Sequence, residues 1–314
     1  MELHAVAGGR GAGKTATALN LTVALREAGQ YAAVLDADLG GNVASLLGVE
    51  FEATLGDAVA GDVGVRAAMV ERELSADAIP TDELAAYREA LAVDRTQFRA
   101  GADERPPPAE DDPDVGMVPV VGGWPDREDH LSTDPEALSY ALGDLAMAYD
   151  VLVVDAGSGP ASESPVVEAA DGVLAVTTPD PEACEAAEAD ATACAREGAQ
   201  VLGAVINRAE ETTSVSEVTD RVGAKAFGVI PADARTPGVE PVAFSLPGSP
   251  AAGAYGRLAD ALLDWDGTSG LLGPTPANQR DGPAGSDVAT DGDGSERDED
   301  VEDSGGFFSR LLGR

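Results

Sequence analysis

The sequence predicts an α/β domain in which helices cover both faces of a doubly wound, mostly parallel β-sheet. Two observations support this prediction. Short apolar runs rich in β-branched residues alternate with helix-like stretches, the order expected of parallel strands joined by crossover helices. The apolar runs also lack strict alternation between polar and apolar residues, as expected of strands that are buried on both faces.

The predicted elements follow one another regularly along the chain. Strands are predicted at residues 3–7, 31–37, 115–121, 150–156, 172–178, 201–207 and 226–230. Helices are predicted from apolar residues at helical spacing, at residues 14–29, 134–149, 181–199 and 249–265. Gly29 and Gly198 fall where two of these helices should end, because glycine adopts the left-handed conformation of a helix C-terminus at little cost.

Composition separates a folded part, an insertion and a linker. Residues 1–265 carry the alternating strands and helices, interrupted by a predicted insertion at residues 64–113. The insertion contains helix-like pieces at 65–74 and 81–100 and ends in a proline-rich acidic loop. Residues 266–304 hold 11 acids against two arginines, and we expect a disordered linker there because so few apolar groups cannot form a core.

The chain is strongly acidic, with a net charge of −37 from 57 acidic and 20 basic residues, and its only lysines are Lys14 and Lys225. Such a surface is typical of a cytoplasm with very high salt, where the Debye length falls to about 3 Å at 1 M. We therefore expect a halophilic, haloarchaeal source, and an ordinary acidic protein with an acidic tail is the alternative. The charge also argues against a general nucleic-acid surface, which needs clustered lysine or arginine.

Neither the cysteines nor the N-terminus indicates secretion. Cys184 and Cys194 give no disulfide framework and no metal-site spacing, so we expect both to be buried as small apolar residues. The N-terminus lacks the basic start and long apolar core of a signal peptide, and no run reaches 18 apolar residues. These features predict a cytoplasmic location.

The segment GGRGAGKT at residues 8–15 follows the first predicted strand and opens the first predicted helix. It matches the phosphate-loop pattern G-x-x-x-x-G-K-[ST] at Gly8, Gly13, Lys14 and Thr15. Glycines allow backbone N–H groups to point at phosphate oxygens, and a helix N-terminus adds positive potential. We expect Lys14 to reach the β- and γ-phosphates and Thr15 to bind Mg²⁺. The sequence thus predicts the P-loop NTPase fold.

Three acids follow predicted strands near this loop. Asp36 and Asp38 end the second strand, and Asp155 follows four apolar residues and precedes a turn of small residues. An acid at the carboxyl end of a parallel strand is typical of the Walker B position, which faces Mg²⁺ beside the phosphate loop. A structural role for Asp36 stays open.

With these motifs the sequence resembles the MinD/ParA family of deviant-Walker P-loop ATPases, over residues 2–265 apart from the insertion. The motifs stand in the order of the family: GGRGAGKTATALNLTVALREAG, VLDADLGGNVASLLG, TLGDAVAGD, YDVLVVDAGSG, AADGVLAVTTPDPEA, VLGAVINR, GVIPAD and LPGSPAAGAYGRLADAL. The resemblance implies an ATPase that uses ATP and Mg²⁺ and forms a nucleotide-dependent homodimer.

The resemblance also implies roles for single residues. Asp38 would orient the attacking water in switch I and take part with Asp155 and Thr15 in holding Mg²⁺, and switch II would follow Asp155. Asn42 matches a switch asparagine of the ParA branch. The implied nucleotide-binding residues are Gly8, Gly9, Gly11, Ala12, Gly13, Lys14, Thr15 and Ala16 in the loop and helix, with Asn207, Arg208, Pro231 and Asp233 around the base.

The chain departs from the family at one loop position. The family has a signature lysine five residues before the second lysine, where it crosses the dimer interface to the phosphates of the partner, and this chain has Gly9 there. Arg10, the next residue, is a catalytic candidate because it could act in the partner's site. Two alternatives stay open: Arg10 could contact phosphate within its own subunit, or it could have no nucleotide role.

The last ten residues, GGFFSRLLGR at 305–314, contrast with the acidic linker before them. On a helix their apolar side chains share one face, away from Arg310 and Arg314: Phe307, Phe308, Leu311 and Leu312. A segment this short is helical only on contact with an apolar surface. MinD proteins carry a similar membrane-targeting tail. We therefore expect a peripheral membrane protein at the inner face of the cell membrane, with a protein groove as the alternative partner.

Together these features predict a MinD-like ATPase that binds Mg-ATP, dimerises and associates reversibly with the membrane to position a cellular machine, at the division site or in a polar assembly. An unknown protein cargo or activator is expected, and DNA is not. The alternatives are a ParA-type DNA or cargo segregation ATPase, a biosynthetic enzyme of the same superfamily, and a nucleotide-binding scaffold without hydrolysis.

Overall fold

The computed structural model describes residues 1–74, 116–157, 161–236 and 239–265. Four sequence predictions lie outside the described residues: the helix-like piece at 81–100, the proline-rich loop, the linker at 266–304 and the tail at 305–314. In the part of the chain that is described, none of the helices has the length and apolar character needed to cross a membrane.

The described strands form one sheet in the order β3-β4-β2-β5-β1-β6-β7-β8. Every neighbouring pair is parallel except β3 and β4. The strands are β1 (Glu2–Ala7), β2 (Ala32–Asp36), β3 (Met69–Glu73), β4 (Met117–Gly122), β5 (Val151–Asp155), β6 (Gly172–Thr177), β7 (Val201–Ala209) and β8 (Ala226–Pro231). The predicted doubly wound, mostly parallel sheet is confirmed.

The four predicted helices are present but end earlier than predicted. The described helices are α1 (Lys14–Glu27), α2 (Asn42–Leu47), α3 (Leu55–Ala60), α4 (Arg127–Leu131), α5 (Pro135–Leu145), α6 (Pro165–Glu168), α7 (Pro181–Arg196), α8 (Val215–Val222), α9 (Val242–Ser245) and α10 (Pro250–Leu263). Gly29 and Gly198 follow α1 and α7 with φ of +85° and +93°, the conformation expected after a helix end.

The prediction of a helix at residues 65–74 is wrong. A short 3₁₀ turn covers Val65–Ala68, and the next residues form β3, which pairs antiparallel with β4 at the edge of the sheet. Met69 and Val70 are half-buried, whereas the last three residues of β3 are exposed and charged. Hydrogen bonding to β4 therefore outweighs the helical spacing, as tertiary context often does.

Apolar side chains fill both faces of the sheet. On one face α1 and α10 pack on the strands around Val6, Val153 and Val176. On the other, Cys184 and Ala187 of α7 pack on β6 and β7, and both cysteines are buried and free, as predicted. The parallel register sets the carboxyl ends of three central strands side by side, and these ends carry the site.

Candidate nucleotide-binding site

The loop between β1 and α1 curls tightly against its neighbours. Gly8 has φ of +135°, and a Cβ atom there would lie 2.1 Å from the carbonyl oxygen of Val176 in β6. Gly13 has φ of +96°, and its Cβ would lie 2.3 Å from Nδ2 of Asn207. No side chain caps α1 at Gly13, so the first N–H groups of the helix point into the loop, as in an anion-binding site.

Lys14 begins α1 and is buried beneath the loop. Its Nζ donates a hydrogen bond to the carbonyl oxygen of Gly9 at 3.0 Å, which joins the two ends of the loop. Burial lowers the pKa of Lys14, and the charges of Asp155, Asp190 and Asp38 oppose that shift. The ammonium group therefore stands among carboxylates at the place where the motif expects phosphates.

Thr15, in the first turn of α1, contacts Asp155 at the carboxyl end of β5. The hydroxyl of Thr15 donates to Oδ2 of Asp155 at 2.5 Å, and the N–H of Gly157 lies 3.3 Å from Oδ1. Asp155 is fully buried, and burial raises the pKa of its carboxyl, against the lowering effect of the Thr15 hydrogen bond. A hydroxyl beside a carboxylate offers the hard oxygen atoms that Mg²⁺ prefers.

Asp36 lies beside Asp155 in the sheet register and faces the same edge. Its Oδ2 accepts a hydrogen bond from the N–H of Ala44 at 2.9 Å, while its buried Oδ1 has no partner among the described residues. Burial raises the pKa of Asp36 to about 7, and the charges of Asp155 and Asp38 act in the same direction. A cation beside this carboxyl would favour its charged form.

The residues present fit a magnesium ion shared with phosphates. In the described residues, no group of three or more His, Cys, Asp and Glu side chains could hold a metal unaided. Mg²⁺ bound by one or two carboxylates together with substrate phosphates and water needs no such group. Thr15 and Asp155, with the unpartnered oxygen of Asp36 nearby, supply oxygen atoms of the required kind.

The raised pKa of Asp36 gives a pH-dependent prediction for the metal-free protein. The unfolded carboxyl releases its proton near pH 3.8, whereas the folded one keeps it to about pH 7, so stability at this residue falls as the pH rises between these values. Asp36→Asn keeps an acceptor for Ala44 and removes the charge. In urea unfolding with EDTA present, the free energy of unfolding of the variant relative to that of wild type should increase by about 2–3 kcal/mol as the pH rises from 5 to 8. A difference that does not change with pH would contradict this account.

Asp38 connects the segments that follow β2 and β5. Its carboxylate accepts hydrogen bonds from the N–H of Gly40, at 3.0 Å, and from the side-chain amide of Asn42. A Cβ atom on Gly157, where φ is +74°, would lie 2.7 Å from the Cα of Asp38. The two segments implied as switch I and switch II are therefore in direct contact.

On the opposite side of the loop, the side chains of two consecutive residues of β7 donate hydrogen bonds to consecutive carbonyl groups of the loop. Nδ2 of Asn207 donates to Ala12 at 3.2 Å, and the guanidinium of Arg208 donates to Gly11 at 3.1 Å. Arg208 has φ of +54°, a conformation that L-residues rarely adopt. The end of β7 thus supports the outer turn of the loop.

The two remaining residues of the implied base pocket lie at the end of β8. Pro231 pairs with Ala209, two positions after Asn207. Asp233 accepts two side-chain hydrogen bonds from the guanidinium of Arg235, at 2.9 and 2.5 Å, and these lower the pKa of its carboxyl. The structure places Pro231 beside β7. Asp233, in contrast, forms its side-chain hydrogen bonds with Arg235.

A family model described as the CobQ/CobB/MinD/ParA nucleotide binding domain matches residues 4–238, about three quarters of the chain. The chain belongs to this family. It is 26% identical over 276 residues to an uncharacterized ATP-binding protein of Methanocaldococcus jannaschii, covering 82% of this chain and 86% of that protein. Membership makes the chain a MinD/ParA-type P-loop protein with the ATP-binding fold of the family.

Two solved structures show the same fold. The septum site-determining protein MinD of Pyrococcus horikoshii, complexed with Mg-ADP, has a TM-score of 0.59 and 23% identity, with 83% of this chain and 95% of that chain covered. Cobyrinic acid a,c-diamide synthase of Mycobacterium smegmatis, with bound ADP and magnesium, has a TM-score of 0.57 and 20% identity, with coverages of 84% and 94%. These structures indicate that the family fold holds nucleotide with Mg²⁺.

In this chain, a helix packs against the loop position that holds the signature lysine in the family. A Cβ atom on Gly9 would lie 2.7 Å from the Cβ of Ala186 in α7, so a side chain needs α7 or the loop to shift. Arg10 is exposed at the tip of the loop.

Ala16 lies in the first turn of α1. Its carbonyl oxygen accepts a hydrogen bond from the side-chain amide of Asn20 at 2.8 Å.

Two acids near the family motifs were missed by sequence reasoning. Asp190 of α7 is half-buried, which raises the pKa of its carboxyl, and its negative charge opposes the lowering of the Lys14 pKa. Glu240, beyond β8, accepts a hydrogen bond from Asn20 of α1 at 2.6 Å, and burial raises the pKa of its carboxyl. Nothing in the local sequence distinguishes either residue from the many solvated acids of this chain.

Proposed function

We propose that this chain is a MinD-like ATPase that binds Mg-ATP and hydrolyses it at the loop between β1 and α1. The observation that carries the proposal is the hydrogen bond between Thr15 and Asp155. Thr15 lies in the first turn of α1, directly after the buried Lys14. A hydroxyl, a carboxylate and an ammonium group meet there beside uncapped backbone N–H groups. This combination suits a polyphosphate with its magnesium ion.

Each residue has a distinct role in the proposal. Lys14 and the loop N–H groups bind the phosphates, and Thr15 and Asp155 hold Mg²⁺, which neutralises phosphate charge when bound. Asp38 orients the attacking water, for which its contact with Gly157 gives it a fixed position. Asn207 and Arg208 support the loop and border the base, with Pro231 and Asp233 beyond them.

The proposal extends to reversible membrane association. ATP would bring two copies together, and each copy would contribute a tail at 305–314 to the same membrane. Two weak anchors on one dimer bind more tightly than one, without any new contact, because the second binds at high effective concentration. Hydrolysis would return the protein to single copies and release the membrane, which allows it to position a cellular machine through an unidentified cargo or activator.

Flotation of the full chain with vesicles of anionic lipids tests the membrane step. Wild type with Mg-ATP should float at least about fivefold more than with Mg-ADP, as expected of a two-anchor dimer. Deletion of residues 305–314 should abolish flotation in both nucleotides. The substitutions Leu271→Ser and Leu272→Ser, which also remove apolar side chains but outside the tail, should leave it unchanged. Flotation that is indifferent to the nucleotide or to the tail would refute the proposed tether.

One observation favours a second function, a nucleotide-binding scaffold without hydrolysis. The close approach of Ala186 to Gly9 leaves no room for the lysine that activates the partner's site in the family. Phosphate release from Mg-ATP at steady state decides between the two functions. An ATPase releases phosphate faster than its Asp38→Ala variant, whereas a scaffold binds ATP and shows the same background release in both.

The contact between Asn42 and Asp38 favours a third function, a ParA-type segregation ATPase, because Asn42 is the ParA-branch residue. The net charge of −37 weighs against DNA as its partner. Binding of the chain to random duplex DNA, dependent on ATP and weakened by salt, would establish this function in place of the membrane one.

A further inference from the structure

The side chain of Asn20 joins α1 to the segment that follows β8. Asn20 is fully buried in the second turn of the helix that Lys14 begins. Its Nδ2 donates hydrogen bonds to the carbonyl oxygen of Ala16 at 2.8 Å and to Oε2 of Glu240 at 2.6 Å. Its Oδ1 accepts a hydrogen bond from the N–H of Ala243 at 2.7 Å. Both ends of the amide are therefore engaged, which fixes the side chain in one orientation.

The carboxylate of Glu240 connects Asn20 to the start of α9. The Oε2 atom of Glu240 also accepts a hydrogen bond from the N–H of Val242, the first residue of α9, at 3.3 Å. The helix α9 itself packs on α1. Glu240 is half-buried, and burial raises the pKa of its carboxyl, against the lowering effect of the hydrogen bonds from Asn20 and Val242. One carboxylate oxygen thus holds the chain before α9 against α1.

A series of hydrogen bonds connects Glu240 to the residues implied at the base. The N–H of Val239 donates to the carbonyl oxygen of Thr236 at 3.0 Å, and the N–H of Thr236 donates to the carbonyl oxygen of Asp233 at 3.1 Å. The hydroxyl of Thr236 donates to the same oxygen of Asp233 at 2.9 Å. Two residues before Asp233, Pro231 pairs with β7. The described residues between β8 and α9 are thus held to β7 at one end and to α1 at the other.

We infer that Asn20 and Glu240 are positioning residues that hold the base side of the nucleotide site at a fixed place relative to the phosphate loop. In the proposed site, Lys14 and the loop bind the phosphates, and neither residue of the pair belongs to that set. The residues that Glu240 anchors border the base. The pair therefore governs affinity for the nucleoside part of the ligand and leaves affinity for the phosphates unchanged. The inference rests on the proposed nucleotide site and adds the residues that fix its base side.

Three substitutions separate the hydrogen bonds of Glu240 from its charge. Glu240→Ala removes the acceptor and leaves the buried amide of Asn20 without it. Glu240→Asp keeps a carboxylate but is shorter by one methylene group, so its oxygen lies farther from Asn20. Glu240→Gln keeps the length and an oxygen that accepts from Asn20, and it removes only the charge. Positioning through hydrogen bonds predicts weaker ATP binding in the first two variants and wild-type binding in the third.

Isothermal titration of the full chain with Mg-ATP, and separately with inorganic triphosphate and Mg²⁺, tests the inference. A segment that is in place only about a tenth of the time lowers the apparent affinity about tenfold. Glu240→Ala should therefore weaken Mg-ATP binding about tenfold and Glu240→Asp about threefold, and neither should change triphosphate binding. Glu185→Ala, which removes an exposed carboxylate from α7, should match wild type with both ligands.

A residue that only stabilises the fold would lower affinity for both ligands equally or for neither, and either result would overturn the inference. A loss of ATP affinity in Glu240→Gln equal to that in Glu240→Ala would overturn it as well. If Glu240→Ala does not fold, Glu240→Asp provides the same comparison of the two ligands. If wild type itself fails to bind Mg-ATP, the proposed function is wrong, and the inference is wrong with it.

Discussion

Replacement of Lys14 by alanine is expected to weaken Mg-ATP binding at least about 100-fold, which corresponds to roughly 2.7 kcal/mol of binding free energy. The loop is surrounded by negative charge from Asp155, Asp190 and Asp38, and Lys14 is the buried cation among them. Without the ammonium group the phosphates lose a charge-assisted hydrogen bond and meet these carboxylates directly. Phosphate release from Mg-ATP should fall to background for the same reason.

The composition of the chain provides a matched control for this experiment. Lys225 is the only other lysine, and it is exposed in the segment before β8. Isothermal titration of Mg-ATP into wild type, Lys14→Ala and Lys225→Ala should give equal affinities for the first and third proteins. Binding to Lys14→Ala within about threefold of wild type would mean that phosphates bind elsewhere.

Replacement of Gly8 by alanine should destabilise the fold by about 3 kcal/mol or more. The added methyl group would lie 2.1 Å from the carbonyl oxygen of Val176, and the φ of +135° is strained for any residue with a side chain. Val176 belongs to β6, which pairs directly with β1 through Ala7 and Ala175, so neither backbone can move without breaking the sheet. Nucleotide binding should be lost together with stability.

Gly11→Ala separates this close approach from simple backbone strain. Gly11 lies in the same loop with φ of +77°, but a Cβ atom there would meet nothing within 4 Å. We expect it to cost only about 1 kcal/mol. Urea unfolding of the two variants measures the difference, and equal losses of unfolding free energy would show that contact with Val176 does not set the position of the loop.

Much of the fold was predictable because its signals are local. Buried parallel strands are continuous apolar runs, and each central strand of this sheet is such a run between helices of regular spacing. The edge strand β3 was not predictable, since residues 65–74 have the amphipathic pattern of a helix and only pairing with β4 makes Met69–Glu73 a strand. Pairing of this kind depends on a segment more than 40 residues away, which local patterns do not contain.

The candidate site likewise has features that the sequence predicts and features that only the structure shows. The loop motif and the acids after β2 and β5 were evident from the sequence because each motif is contiguous and parallel strands end at one edge. The approach of α7 was not evident. The sequence shows that Gly9 replaces a lysine, but only the structure shows that Ala186 of α7 packs against it. Helix packing against a loop depends on the whole sheet that places the helix.

The central claim is that the loop between β1 and α1 binds the phosphates of ATP, and the scarcity of lysine makes it directly measurable. An acyl-phosphate derivative of ATP acylates lysine amines that lie beside its phosphates, and the full chain offers only Lys14 and Lys225. Peptide mass spectrometry after labelling should find Lys14 modified, with excess Mg-ATP suppressing the reaction, and Lys225 unmodified. Equal labelling of both lysines, or labelling of Lys14 that Mg-ATP does not suppress, would contradict the account.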